Sequence, residues 1–488
     1  MRIFKRIALL ALAAALSLTA FSGCGDSENY GRDVIRLRWV TFSNSVPPDV
    51  KEVVKKANEY SAEKIGVVVD LEFQPSEMIN LIMASGEYYD IIFTCSWLNN
   101  YNIAASRGMF YDITDIVQTA SPELYKVIGE YWDAAELNGR YYGVPTLKDM
   151  GAEMMFRLNS TYYEEQKGMT IPESMKFEEI EPFLEVYKKD NPTKYPLAMD
   201  KSGIAGMTNF LEKIVGDYIV IPYEAETPEV MPIWENDEFM KRVRLLHKWY
   251  QLGYINPDAA AMENSAVAKD TPVRAGVAWR GYTGYSDPAN WGFNVKLSLY
   301  DGPFISKSTE QGGMFAISAG CDQKHAEASL KYLELLNTDR TFRDILGYGI
   351  EGKHFKYLPN GTVMKTEEGS SGYQPSLFTT GPVTNASVLS ISEDYLSDPD
   401  LWPKVFAGYK EYGIWSKAHG FIYDTKRKED IVATLSAIWL NYYTDLITGT
   451  SDPDTVIPKM KSEMEKAGLN ELMDDVKSEL ANHLAKYN

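Results

Sequence analysis

The sequence predicts an α/β protein made of two domains, and two observations support this prediction. Strand-like and helix-like segments alternate between Ile35 and Thr94, an order typical of a parallel sheet covered by helices. The chain also has 488 residues, which is more than one compact hydrophobic core usually accommodates. We therefore expect two domains, each with a core of its own.

Side-chain periodicity defines the elements at the start of the chain. Apolar side chains at every second position predict strands, and apolar side chains at every third or fourth position predict helices. These patterns predict a strand at 35–41, a helix at 49–64, a strand at 67–73, a helix at 76–85 and a strand at 90–94. Ligands of such sheets bind beside the carboxyl ends of the parallel strands. The segments 41–44 and 95–97 follow two of these strands, so we expect them to border a site.

The rest of the chain continues the α/β pattern and ends in helices. Strands are predicted at 154–157, 273–279 and 314–318. Helices are predicted at 177–189, near Asn209, near Phe239, at 325–336, at 429–446 and at 458–466. The stretch from 348 to 398 is rich in loops and precedes the helical C-terminal region.

The N-terminus predicts secretion and a lipid anchor. Residues 1–23 combine a basic start, an apolar run and small residues before Cys24, which is the pattern of a secretory signal peptide. Phe21-Ser22-Gly23-Cys24 resembles a bacterial lipobox, which implies that Cys24 is lipidated and becomes the new N-terminus. The alternative is a plain secretory signal with an incidental Cys. Residues 24–34 are small, polar and charged, so we expect a flexible tether.

The composition excludes several classes of function. A formal net charge of −19 argues against nucleic acids and polyanions as partners. The chain contains no GxSxG, HExxH or phosphate-loop sequence, and its five His are scattered, so we predict no catalytic residue, metal or cofactor. No CxxC pair occurs. Cys95 lies in an apolar run and is expected to be a buried free thiol, although pairing with Cys321 stays open.

Several short motifs carry a family resemblance. They are Ser-Gly-Glu-Tyr-Tyr-Asp-Ile-Ile-Phe at 85–93, Gly-Met-Phe-Tyr-Asp-Ile-Thr-Asp at 108–115, Asn-Gly-Arg-Tyr-Tyr-Gly-Val-Pro at 138–145, the strand and helix of 311–336, and the segments 349–354, 420–424, 439–443 and 466–469. In this order they resemble the extracellular solute-binding proteins of family 1, the sugar-binding type. The C-terminal motifs are similar to the uncharacterised C-terminal domain of one lipoprotein branch of that family.

The resemblance implies a two-lobed, periplasmic-binding-protein-like fold of type II, with a hinge and a ligand cleft. It implies a first lobe at 35–145 plus 296–350, and a second lobe at 146–295 plus 351–488 that includes a helical C-terminal domain. The implied function is that of a monomeric receptor anchored by lipid to the extracytoplasmic face of the cell membrane. Such a receptor captures a carbohydrate by lobe closure and delivers it to the membrane subunits of an ABC permease.

Three other functions stay open at the level of sequence. The same fold could bind a peptide or another polar solute, and charged cleft residues in place of stacked aromatics would favour that. A secreted glycoside hydrolase could have a similar composition, because carboxylate pairs are abundant in an acidic chain. The receptor could also serve a sensor kinase instead of a transporter.

The segment after the predicted strand at 90–94 is the first candidate for a ligand contact. Sugars have apolar ring faces and many hydroxyls, so their sites combine aromatic rings with planar polar groups. We expect Trp97 to stack on a sugar ring, Asn99 or Asn100 to bind hydroxyls, and Tyr101 to lie beside them. The alternative is a helix capped by Asn99, with Trp97 in the core.

Two further clusters are candidates in the second lobe. Lys148 and Asp149 follow the crossover between lobes and could exchange hydrogen bonds with hydroxyls; the alternative is an exposed ion pair. Trp279, Arg280 and Tyr282 follow a predicted buried strand and form a second aromatic cluster. The alternative for these three is packing between domains.

Two single residues complete the candidate set. Asn44 stands beyond the first strand, where it could reach the cleft, whereas Trp39 in that strand is expected in the core. Glu351 lies between two Gly and could bind a hydroxyl or cap a helix.

Overall fold

The computed structural model describes residues 30–31, 33–151, 153–263, 271–278 and 288–487. Two large hydrophobic cores organise most of these residues, one around Trp39 and one around Phe156, and a small third cluster surrounds Phe355. We call the bodies built on the two large cores the first and the second lobe. The predicted two-lobed α/β fold is therefore confirmed.

Short strands alternate with helices along most of the described chain. The strands are β1 Ile35–Phe42, β2 Val67–Gln74, β3 Ile91–Thr94, β4 Glu136–Leu137, β5 Arg140–Tyr141, β6 Gly143–Pro145, β7 Glu153–Asn159, β8 Leu211–Val215, β9 Ile219–Pro222, β10 Met231–Pro232, β11 Val273–Ala278, β12 Val295–Asp301, β13 Phe304–Ile305, β14 Met314–Ile317, β15 Phe355–Tyr357, β16 Val363–Lys365, β17 Leu389–Ser390 and β18 Ile414–Trp415. The helices are α1 Val50–Ile65, α2 Ser76–Ser85, α3 Tyr101–Ser106, α4 Thr114–Ala120, α5 Pro122–Ile128, α6 Glu181–Asp190, α7 Asp237–Gln251, α8 Pro288–Trp291, α9 Lys307–Glu310, α10 Gln323–Thr338, α11 Arg340–Tyr348, α12 Glu367–Gly372, α13 Leu401–Tyr412, α14 Glu429–Ile447, α15 Pro453–Lys466 and α16 Leu469–Tyr487.

The first lobe is built on a five-stranded sheet in the order β2-β1-β3-β14-β6. β1 pairs in parallel with β2 and β3, whereas β14 is antiparallel to both of its neighbours. The Trp39 side chain is fully buried on this sheet, with its ring 5.3 Å from Phe315 and 5.8 Å from Tyr332 in edge-to-face contacts. The expectation that Trp39 belongs to the core is confirmed.

The second lobe is built on the antiparallel sheet β11-β7-β12 and on helices from distant parts of the chain. The ring of Phe156 lies 4.4 Å from that of Tyr300 and 5.9 Å from that of Phe177. Phe177 in turn stacks on Trp249 of α7. The C-terminal helices α14 and α15 pack on α7, so the end of the chain completes this core.

Most of the predicted elements are present within a few residues of their expected limits. The predicted helix near Asn209 is wrong, because this stretch forms turns followed by β8. Gly203 and Gly206 adopt φ angles of 64° and 77°, which a helix does not accept. The first sheet also differs from a purely parallel one, because β14 runs antiparallel to its neighbours β3 and β6.

The cores divide the chain at other points than those expected from the sequence. The expected first lobe contained 296–350, but β12 pairs with β7 in the second lobe. The expected second lobe contained 351–488, but residues from Tyr373 to Tyr409 pack in the first core. Sheet pairing and helix docking over such distances leave no local pattern in the sequence, which is why the expected limits differ.

Three segments cross side by side between the lobes: 146–151, 302–306 and 413–417. β13 of the second segment pairs in parallel with β18 of the third. A Cβ atom at Gly151 would lie 2.8 Å from the Phe304 carbonyl oxygen, and one at Gly413 would lie 2.7 Å from Ile305 Cδ1. Glycine at position 151 therefore permits the close approach of the first two segments, whereas a Cβ at Gly413 would first meet the Tyr409 carbonyl oxygen of the preceding helix, α13. We call this region the hinge.

Two further findings concern the remaining expectations. Cys95 and Cys321 are both buried free thiols, which confirms the expectation for Cys95. Within the described ranges, no helix has both the length and the apolar character needed to cross a membrane.

Gly151→Ala is expected to destabilise the protein by about 1–3 kcal/mol, because the added methyl group overlaps the Phe304 carbonyl in a packed region. The free energy of unfolding, measured by urea denaturation, tests this. Gly320→Ala is the matched control, because a Cβ there meets its nearest atom at an ordinary 3.5 Å. Equal stability of the two variants would contradict the tight packing of the hinge.

Candidate ligand-binding cleft

A cavity of about 320 Å³ lies between the lobes, beside the hinge. We call it the inter-lobe cleft. Its lining residues come from both lobes and from two of the crossing segments: Ser96, Trp97, Lys148, Asp149, Gly151, Asn209, Leu211, Glu212, Lys213, Tyr223, Phe304, Ser306, Ser308, Thr309 and Gly312. This set mixes aromatic, hydroxyl and charged groups, which is the chemistry of a site for a polar solute.

Trp97 provides the exposed aromatic surface of the cleft. Its side chain is 53% exposed, although large apolar side chains are usually buried. The indole nitrogen donates a hydrogen bond to the Gly312 carbonyl at 2.9 Å, and the ring makes an edge contact with Phe42 at 5.4 Å. These contacts hold the ring in one orientation while the rest of its surface stays open. The alternative of Trp97 in the core is wrong.

The three polar residues after Trp97 serve the first lobe itself. Asn99 accepts a hydrogen bond from the Thr94 hydroxyl at 2.6 Å, and Asn100 caps α3 by accepting from the Ile103 N–H at 3.2 Å. Tyr101 is fully buried and donates to the Ala135 carbonyl at 2.7 Å. None of the three lines the described cleft. An asparagine therefore caps this helix, as the alternative expected, but the capping residue is Asn100 and not Asn99.

Lys148 and Asp149 line the cleft as an ion pair. Lys148 Nζ lies 2.6 Å from Asp149 Oδ1 and 5.1 Å from the ring centre of Phe378. Asp149 Oδ1, the oxygen that faces Lys148, is buried, so this ion pair is shielded from solvent. Burial raises the pKa of Asp149, and the charge of Lys148 partly opposes that rise. The two side chains are 26% and 10% exposed, so the pair is largely buried at the wall of the cleft.

The second-lobe wall of the cleft consists of residues that the sequence did not single out. Glu212 is 4% exposed, and its carboxylate accepts a hydrogen bond from the Ser416 hydroxyl. Burial raises the pKa of Glu212. The rings of Tyr223 and Phe304 lie 5.1 Å apart beside it. Sequence reasoning missed Glu212 because its strand, β8, follows the stretch predicted as a helix. No local motif distinguishes the other two residues.

The remaining candidates do not meet in the cleft. Asn44 and Glu351 are exposed and do not contribute to its described lining. Glu351 lies at a turn, where it forms an isolated bridge with Phe355. Trp279, Arg280 and Tyr282 lie outside the described residues, as does Cys24.

A buried arginine supports the first-lobe side of the cleft. The Arg343 guanidinium is fully buried and donates to the Pro382 carbonyl at 2.7 Å and to the Leu377 carbonyl at 2.6 Å. Burial lowers the pKa of Arg343 to about 10. These bonds hold the loop that presents Phe378 to Lys148. Arg343 therefore holds the loop of Phe378, which contacts the cleft residue Lys148, although neither Arg343 nor Phe378 belongs to the described lining.

Arg343→Met should lower the free energy of unfolding by about 2–4 kcal/mol, because it leaves buried carbonyl oxygens without a donor. Urea denaturation measures this loss. The control is Arg340→Met in the first turn of the same helix, where the side chain is exposed and a change within about 0.5 kcal/mol is expected. A neutral Arg343→Met variant would show that the loop is held by other contacts.

The described residues contain no group of three or more His, Cys, Asp or Glu side chains arranged to hold a metal ion. Two α/β lobes that share a hinge and a polar cleft with an exposed aromatic ring define a two-lobed solute-binding protein. Comparison with known proteins agrees with that class. Residues 417–485 match the domain of unknown function DUF3502. This match confirms the expected C-terminal domain.

The similar proteins span almost the whole chain. One is a carbohydrate ABC transporter substrate-binding protein of Streptococcus pneumoniae, 28% identical over 96% of this chain and 95% of its own. Lipoprotein LipO of Bacillus subtilis is 22% identical over 95% of this chain and 97% of its own. The N-glycan transport solute-binding protein NgtS of Streptococcus pneumoniae has the same fold, with a TM-score of 0.80, 23% identity, and coverage of 94% and 100%. NgtS is also known in complex with Man1GlcNAc, at a TM-score of 0.74, 21% identity, and coverage of 92% and 99%.

Proposed function

We propose that this protein is the extracytoplasmic substrate-binding component of a carbohydrate ABC importer, and that it binds an oligosaccharide in the inter-lobe cleft. The observation that supports this most directly is Trp97, an exposed indole held in place at the edge of a polar cavity. An indole face suits the apolar face of a sugar ring, and the surrounding hydroxyl and carboxylate groups suit its hydroxyls. The similarity to carbohydrate-binding relatives supports the same assignment.

The ligand is bound between the lobes without chemical change. Because the cleft is lined from both lobes, a ligand that contacts both favours their closed arrangement over an open one. That difference in free energy allows a membrane permease to distinguish the loaded from the empty receptor. The protein acts as a monomer, is not an enzyme, and uses no cofactor.

The receptor is held at the membrane by lipid on Cys24. The lipobox-like sequence before Cys24 and the similarity to a lipoprotein support this. Two acyl chains would anchor the protein stably, whereas one chain alone binds membranes weakly.

Sugar binding is tested by thermal unfolding of the mature protein against a panel of neutral oligosaccharides. At least one should raise the melting temperature, because a ligand that binds only the folded state stabilises it. Trp97→Ala should lower the affinity for that ligand about 10- to 100-fold in calorimetric titration, since the stacking surface is lost. Leu440→Ala is the control, because Leu440 is 68% exposed and lies outside the described cleft lining. A panel without any stabilising sugar would contradict the proposal.

Lipid anchoring is tested by expressing Cys24→Ala in a bacterial host. The wild-type protein should fractionate with the membrane and incorporate labelled palmitate, whereas the variant should do neither. Cys95→Ala is the control, because Cys95 is buried in the folded protein. Membrane association of Cys24→Ala would contradict anchoring through this residue.

A further inference from the structure

The charged groups that line the inter-lobe cleft are already engaged by partners within the protein. Lys148 Nζ lies 2.6 Å from Asp149 Oδ1, and Lys213 Nζ lies 2.6 Å from Asp217 Oδ1. The Glu212 carboxylate accepts a hydrogen bond from a serine hydroxyl of the third crossing segment. A ligand that binds to any of these groups must therefore share it with an existing partner or displace that partner.

Asn209 provides an amide group in the same lining, and the protein makes little use of it. Its Nδ2 donates to Met154 Sδ at 3.6 Å, which is the side chain's one hydrogen bond within the described ranges. A thioether sulfur is a weak acceptor, whereas an amide has two N–H donors and an oxygen that accepts twice. Asn209 is also partly exposed. Most of its hydrogen-bonding capacity is therefore available to a ligand.

A tight turn fixes the position of Asn209 in the second lobe. Its backbone N–H donates to the Gly206 carbonyl at 2.9 Å. Gly206 adopts a φ angle of 77°, and a Cβ atom there would overlap Met154 Sδ, the acceptor of the Asn209 amide. β8 begins two residues later at Leu211, whose side chain is buried in the second core. The amide is thus held before a ligand arrives, which reduces the entropy that binding costs.

A planar amide imposes more geometry on a ligand than a hydroxyl does. Its N–H and C=O groups lie side by side, so it can donate to one sugar hydroxyl and accept from the neighbouring one. The hydroxyls of Ser96 and Ser308, which also line the cleft, rotate freely and select less strongly for direction. Trp97 contributes the exposed ring from the first lobe. The two lobes therefore present different chemistry, an aromatic face on one and a planar amide on the other.

We propose that Asn209 is the residue through which the second lobe recognises the ligand, and that the sugar unit beside it carries two adjacent free hydroxyls. The inference rests on the proposed sugar-binding function and specifies the chemistry of its substrate. Trp97 binds the apolar face of a ring, and the Asn209 amide binds the hydroxyl pair. A sugar without that pair keeps the stacking contact but loses affinity.

The test is a thermodynamic cycle measured by calorimetric titration of the mature protein at pH 7. Mannotriose, maltotriose and chitotriose are titrated first, and monodeoxy analogues of the tightest of the three are then compared. In the wild-type protein, removal of either of two adjacent hydroxyls should lower the affinity about tenfold or more. Asn209→Ala should bind the intact sugar about 10- to 100-fold more weakly. In that variant the same two removals should lower the affinity less than about threefold, because their partner is already absent.

The cycle separates the role of Asn209 from sugar binding itself. An equal effect of each removal in the wild type and in Asn209→Ala would overturn the role of Asn209, although the sugar still binds. Binding of none of the three trisaccharides would contradict the proposed function, and the inference with it.

Asn441→Ala is the matched control, because Asn441 is exposed on α14 and lies outside the described cleft lining. It should change neither the affinity nor the effect of the removals. Circular dichroism confirms that each variant folds. If Asn209→Ala does not fold, Asn209→Asp completes the cycle, because it keeps the shape but loses the N–H donors. The hydroxyl that accepts from these donors should then no longer contribute, and an unchanged contribution would overturn the inference.

Discussion

The relative position of the two lobes depends on the close packing of the three crossing segments. Gly151 lets the first two segments lie closer than a side-chain Cβ would permit, and the pairing of β13 with β18 aligns the second segment with the third. Phe304 belongs to this packed region and also lines the cleft. Because the hinge and the cleft share this residue, a movement at the hinge necessarily changes the shape of the cleft.

Buried polar groups hold distant parts of the chain together beside the first-lobe wall of the cleft. Arg343 is the clearest case, because its guanidinium bonds backbone carbonyls of a loop more than thirty residues away in sequence. That loop supplies Phe378, against which Lys148 packs. A buried arginine without a carboxylate partner costs desolvation free energy, and the backbone carbonyls offset it by satisfying the donors. Arg343 therefore contributes both to the stability of the folded protein and to the position of the loop that contacts Lys148.

The cleft combines one open aromatic face with an enclosed set of polar groups. Trp97 contributes the exposed ring, whereas Asp149 and Glu212 contribute carboxyl groups. Each of these groups comes from a different segment, so the cleft is lined by both lobes. This arrangement suits a receptor whose task is to bind and release a solute unchanged.

The sequence alone was sufficient to predict the alternating elements, the two-lobed class, the C-terminal domain, and Trp97, Lys148 and Asp149 as cleft residues. These follow from local periodicity and from motifs that are contiguous in the chain. Tertiary structure alone decided that Asn100 and Tyr101 serve the first lobe, and that Glu212 lines the cleft. A side chain's neighbours depend on contacts between segments far apart in sequence, and periodicity does not report such contacts. The same physical reason explains why the limits of the lobes differ from those expected.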